Sequence, residues 1–192
     1  MNKIDSKDNK RLKFLVKLKQ SKMRKKEGLY TVEGLKSVQC ALKSAKVRQL
    51  FFSESFLARH PEFVEEWEGQ ELEIFEAKDH HLKPAFDTIT PEGVIAVVEK
   101  EEVRPFLQMV REAKRILILD GLKDPGNVGT MIRTADAFGY DGVVALNETV
   151  ELYHPKVVRS SMGSFFHIDR YQINREDIDG VAAIKEEGIL VA

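Results

Sequence analysis

The run Ile116-Leu117-Ile118-Leu119-Asp120 ends on an acid and is followed almost at once by Asp124-Pro125-Gly126-Asn127, a cluster of turn formers. Beyond it Val128, Met131, Ile132, Ala135 and Phe138 recur at helical spacing. A buried strand that turns straight into an amphipathic helix has one stable use for the helix's apolar side, which is to lie back on the strand's own sheet. This stretch therefore commits its part of the chain to an α/β layer. It also sets a loop at the carboxyl end of a strand, where such proteins gather backbone N–H groups and build sites.

The same alternation runs through the rest of the chain. Residues 27–34 read as a strand ending at Gly34, 35–44 as a helix, 47–52 as a strand, 56–67 as a helix, 71–75 as a strand, 78–86 as a helix and 93–98 as a closing strand. A basic helix followed by a first, small α/β domain thus spans 1–99. The charged stretch from Glu99 to Arg104 and a helix opened by Pro105 make a linker over 100–114. A second domain spans 115–192, with strands at 115–120 and 142–146, helices at 127–138 and 155–162, an extended piece at 165–168, a helix at 176–187 and a strand at 189–192. That pattern predicts a mostly parallel sheet covered by helices. Ile189-Leu190-Val191-Ala192 is an apolar strand with no helix after it, so the sequence is expected to continue.

Charge is unevenly spread. Residues 1–26 hold eleven Lys or Arg against two Asp, and the other 166 hold nineteen against twenty-nine acids. Leu12, Phe14, Leu15, Val16 and Leu18 give this basic segment an apolar helix side, with Lys13, Lys17, Lys19 and Lys22 facing out. Such a segment either binds polyphosphate by releasing counterions or simply solvates a surface, and charge alone leaves both readings open. No apolar run approaches the roughly 18 residues of a membrane span. Met1 to Asp5 lacks the apolar stretch of a secretory signal, and the single Cys40 forms no internal disulfide. These features point to the cytoplasm.

At the junction itself Asn127 can cap the following helix with its side-chain oxygen. Gly129 lies inside the helical pattern at a cost of about 1 kcal/mol against Ala, so backbone or ligand is expected to approach closely there. Arg133 falls off the apolar stripe. Gly126-Asn127-Val128-Gly129 is not the G-x-G-x-x-G of a dinucleotide site and lacks the Gly-Lys-Ser/Thr end of a P-loop. His80, His81, His154 and His167 have no ligand-spaced neighbours, so no metal is expected.

Asn127, Gly129, Arg133, Ala135, Phe138 and Gly139 match N-x-G-x-x-x-R-x-A-x-x-F-G, the first motif of the SpoU, or TrmH-like, branch of the SPOUT RNA methyltransferases, which the chain resembles. The resemblance continues through Val150 to Phe166. Upstream it takes in Ser6, Asn9, Lys13, Leu18, Arg24, Gly28, Val32-Glu33-Gly34 and Thr90 to Ala96, which look like the family's substrate-binding domain.

The resemblance implies methyl transfer from S-adenosylmethionine to a ribose 2′-hydroxyl of rRNA or tRNA, by a homodimer. It implies Arg133 and Asn127 as catalytic residues and Lys13, Lys17, Arg24, Lys25, Lys156 and Arg159 as RNA contacts. A guanidinium keeps its proton in proteins, so the expected role of Arg133 is to clamp the adjacent phosphate, not to act as a base. The family's knot-forming, cofactor-binding motifs are expected beyond Ala192, leaving an incomplete SPOUT-type domain with its cofactor-binding residues unknown. A chain ending there is expected to transfer no methyl group, and the alternative reading is a non-catalytic RNA-binding module.

Overall fold

The structure is a computed structural model and describes residues 1–65, 72–103, 105–146 and 148–173. The helix and strand expected over 176–187 and 189–192 lie outside the described residues. The chain divides into two compact units, Met1–Glu101 and Glu102–Ala192.

The first unit runs β1 (Asn2–Ile4), α1 (Lys10–Lys17), α2 (Ser21–Glu27), β2 (Leu29–Glu33), α3 (Leu35–Ser44), β3 (Val47–Ser53), α4 (Glu54–Arg59), α5 (Glu62–Glu65), β4 (Glu73–Ala77), α6 (Asp79–Leu82), a 3₁₀ turn (Lys83–Ala85) and β5 (Val94–Glu99). Its sheet has the order β1-β4-β3-β5-β2, in which β1, β4 and β3 are parallel and β5 is antiparallel to both β3 and β2. Leu12, Leu15 and Leu18 of the basic segment are buried with Phe51, Phe75, Ile95 and Val97 of the sheet. The cationic segment is therefore folded and packed, not one helix but two, α1 started by Asn9, whose side chain accepts the Arg11 N–H, and α2 carrying Lys22, Arg24 and Lys25.

Several sequence expectations are corrected here by backbone chemistry. The helix expected over 56–67 breaks after Arg59, because Pro61 offers no N–H and pushes His60 out of the helical region, to φ −136°. Pro84 likewise leaves only α6 and a 3₁₀ turn where a helix over 78–86 was expected. Strand β1 escaped the pattern because it buries Ile4 alone, as an edge beside β4.

The second unit runs α7 (Phe106–Glu112), β6 (Ile116–Asp120), α8 (Pro125–Ala137), β7 (Gly142–Leu146), α9 (Pro155–Ser160), a 3₁₀ turn (Ser164–Phe166) and β8 (Asp169–Ile173). Its sheet is parallel with the order β6-β7-β8. Ile116, Ile118, Val144, Leu146, Tyr171 and Ile173 cluster with Met109 and Val110 of α7, so the helix expected within a linker packs in a core. The piece expected to be extended over 165–168 is a turn, and the strand starts at Asp169. Buried Arg170 hid that strand: its guanidinium donates to the Phe165 and Ile168 carbonyls and lies 3.9 Å over the Phe165 ring.

Helix α8 buries Val128, Gly129, Ile132 and Ala135. Met131 and Phe138, expected on that face, are 37% and 68% exposed. The buried arc is narrow because α9 approaches at Gly129, where a Cβ would lie 2.0 Å from Ser160 Oγ and 2.4 Å from the Val157 carbonyl oxygen. The close approach expected at this glycine is thus made by backbone. Replacing Gly129 by Ala is expected to lower stability by about 1–3 kcal/mol, against the helix-propensity trend. Urea denaturation checks this, and an unchanged or higher midpoint would refute the contact.

Candidate functional site

Strand β6 ends at exposed Asp120, and the chain turns through Gly121, held at φ +66°. The cap of α8 is Asp124 and not Asn127: its carboxylate accepts the Asn127 N–H at 2.8 Å, which starts the helix at Pro125. Pro suits that position because a first-turn N–H has no intrahelical partner. The Asn127 N–H holds the Asp124 carboxyl below the ordinary carboxylate range, aided by the charge of Lys156, whose Nζ lies 3.5 Å away.

Arg133 is exposed on α8 and makes no ion pair or hydrogen bond with the described residues. It follows Asn127 by six positions, which places the two roughly 120° apart around the helix. Asn127 is also exposed, and no hydrogen bond joins the two side chains among the described residues. The structure therefore presents both groups to solvent without bringing them together.

Helix α9 buttresses this start. His154 caps it, Nδ1 accepting the Lys156 N–H at 3.1 Å. Ser160 Oγ donates to the Lys156 carbonyl at 2.6 Å and lies 3.4 Å from the Pro125 carbonyl. Lys156, expected to face RNA, is half-buried and reaches the cap carboxylate, while Arg159 is half-buried on the same helix.

The loops after β6 and β7 are bonded to each other. Buried Thr149 donates its hydroxyl to the Leu119 carbonyl at 3.0 Å and accepts the Leu122 N–H at 3.3 Å, while the Val150 N–H donates to the Leu122 carbonyl at 2.8 Å. The Gln172 amide donates to the Thr149 carbonyl and accepts the Leu152 N–H, both at 3.0 Å. Sequence reasoning passed over Thr149 and Gln172, since a lone Thr and a strand Gln carry no spacing signal. Among the described residues no group of three His, Cys, Asp or Glu could hold a metal ion, and no helix is long and apolar enough to cross a membrane.

In the first unit Lys13, Lys17 and Lys25 are exposed, Lys13 pairing with Asp8 at 2.7 Å. Arg24 does not belong with them. It is 1% exposed and donates to the Leu18 and Lys19 carbonyls at 2.8 and 2.6 Å, closing the end of α1. Lys19, also expected to face out, donates to the Phe86 carbonyl at 2.9 Å. The two upstream motifs meet at one corner of this unit. Buried Glu33 accepts the Asp87 N–H at 3.0 Å, and the Glu92 carboxylate caps α3 at the Leu35 N–H, 2.5 Å away.

Residues 114–192 match the SpoU rRNA Methylase family, and residues 9–96 match the MRM3-like substrate binding domain. The 23S rRNA (guanosine(2553)-2′-O)-methyltransferase RlmP of Bacillus subtilis is 32% identical over 192 residues, covering 100% of this chain and 72% of that protein. Human mitochondrial rRNA methyltransferase 3 is 30% identical over 157 residues, 79% of this chain and 36% of that protein. Among solved structures, the AdoMet-bound rRNA methyltransferase of Sinorhizobium meliloti matches with a TM-score of 0.81 at 26% identity, over 98% of this chain and 70% of that one. AviRb of Streptomyces viridochromogenes, in complex with AdoMet, matches with a TM-score of 0.76 at 27% identity, over 94% of this chain and 69% of that one.

Because the Asp124 carboxyl is depressed on folding, its cap stabilises α8 fully above the ordinary value of 3.8 and fades as pH falls through the lower folded value. Asp124→Ala is therefore expected to melt below wild type at neutral pH and to converge with it in acid, while Asn127→Ala melts as wild type throughout. Arg24→Ala leaves two carbonyls unmet and is expected to cost about 2–4 kcal/mol, measured by chemical denaturation.

Proposed function

The chain belongs to the SpoU rRNA methylase family, and from that membership we propose how it acts. It is an RNA 2′-O-ribose methyltransferase that uses S-adenosylmethionine. The observation that carries the site assignment is Arg133: a guanidinium presented to solvent from the helix after β6, with no partner among the described residues to occupy it. S-adenosylmethionine supplies an electrophilic methyl group when bound.

A ribose hydroxyl is a weak nucleophile, and its oxygen must be aligned with the methyl carbon before transfer. Arg133 holds its own proton and grips the neighbouring phosphate bidentately, which fixes the sugar. The hydroxyl proton then passes to that phosphate or to water. Asn127, free of the capping duty that Asp124 performs, contacts the RNA chain beside it. Lys13, Lys17 and Lys25 supply sequence-independent phosphate contacts from the first unit, with Lys156 and Arg159 adding to the positive surface of the second.

The substrate we propose is structured rRNA, with tRNA as the second candidate. The proposed assembly is a homodimer, supported by the exposed apolar side chains of Met131 on α8 and Phe138 at its C-cap. The proposed compartment is the cytoplasm.

Methyl transfer from labelled S-adenosylmethionine to rRNA by the complete enzyme, with the product nucleoside read by mass spectrometry, tests this. Arg133→Ala is expected to lower turnover by about a hundredfold or more while RNA affinity stays within about threefold, and Arg133→Lys is expected not to restore it. Turnover of Arg133→Ala close to wild type would remove the arginine from the reaction.

A further inference from the structure

We infer that Thr149 is a positioning residue for methyl transfer, acting with Gln172 through the main chain of the loop that launches α8. The inference rests on the role given to Arg133 above.

The two groups bonded by the Thr149 hydroxyl, the Leu119 carbonyl and the Leu122 N–H, flank the turn at Asp120 and Gly121. The hydroxyl thus sits inside the turn and sets how far it opens. An apolar side chain of the same size would fill the space but leave both groups unmet and the turn free to adjust. The node is anchored from behind, because the Gln172 amide on β8 grips the Thr149 carbonyl and the Leu152 N–H together. The Val150 N–H adds a main-chain bond to the Leu122 carbonyl, so three segments share one set of directional bonds.

Two residues after Leu122 comes Asp124, the cap of α8, and Arg133 follows about two and a half turns later on the same helix. A helix moves as a rod, so a displacement of its first turn is carried to the guanidinium. Transfer depends on geometry at the ångström level, and small misplacements cost rate before they cost binding. Thr149 is 4% exposed and cannot itself touch RNA, so its influence on the reaction runs through this loop.

The complete enzyme, including the cofactor-binding motifs expected beyond Ala192, as wild type, Thr149→Val, Thr149→Ser and Gln172→Ala separates this from a role in stability alone. Thr149→Val is expected to lower kcat about tenfold, with KM for RNA and RNA affinity within about twofold of wild type. The Leu122 amide should exchange hydrogen faster in this variant, and Thr149→Ser should restore both rate and protection. Gln172→Ala, which keeps the hydroxyl, should shift both in the same direction and carries the test if Thr149→Val does not fold. An active wild type with an equally active Thr149→Val overturns this inference alone. So does a loss that falls on RNA affinity, or one that Ser fails to rescue. A complete enzyme that carries the family's cofactor-binding motifs and methylates no RNA overturns the functional reading itself, and this inference with it.

Discussion

The missing side chain at Gly129 is the constraint on which the second unit depends. With no Cβ there, the Val157 carbonyl and Ser160 come within the space a methyl group would fill, and α9 lies directly on the first turns of α8. That contact brings Lys156 to the Asp124 carboxylate and the Ser160 hydroxyl toward the Pro125 carbonyl. The start of α8 is therefore fixed from two sides, by α9 along its flank and by the Thr149 node at its loop. Arg133 inherits this rigidity while remaining exposed, which suits the phosphate-gripping role proposed for it.

The arginines show why charge by itself says little about function. Arg24 and Arg170 each direct a guanidinium to two backbone carbonyls that the local fold would otherwise leave unmet, one pair at the end of α1 and the other around the turn before β8. Five fixed donors suit that task as well as they suit a phosphate. The basic segment is likewise part structural: its leucines are core, Lys19 and Arg24 bind backbone carbonyls, Arg11 and Lys3 pair with Glu73 and Glu76 of β4, and Lys13, Lys17 and Lys25 face outward.

Much of the architecture was legible because most elements obey a simple period. Helix α3 fell where its apolar spacing put it, and β3, β5, β6 and β7 were readable as short apolar runs. The misses have definite causes. Pro61 and Pro84 ended helices whose apolar pattern ran on. Strand β8 carries a buried Arg and a Gln in its interior, so its pattern looked polar. Asn127 and Asp124 are equally good caps by type, and the turn at Gly121 delivered Asp124 to the helix end first.

The amino-acid order by itself determined the α/β alternation, the strand-loop-helix junction and the residue types at its mouth, because periodicity and turn chemistry are local properties. Tertiary structure alone decided which cations face solvent, that Gly129 serves a helix contact, and that Thr149 and Gln172 join loops distant in sequence. Those outcomes depend on which backbone groups are left unbonded once the sheets have formed, and no stretch of sequence records that.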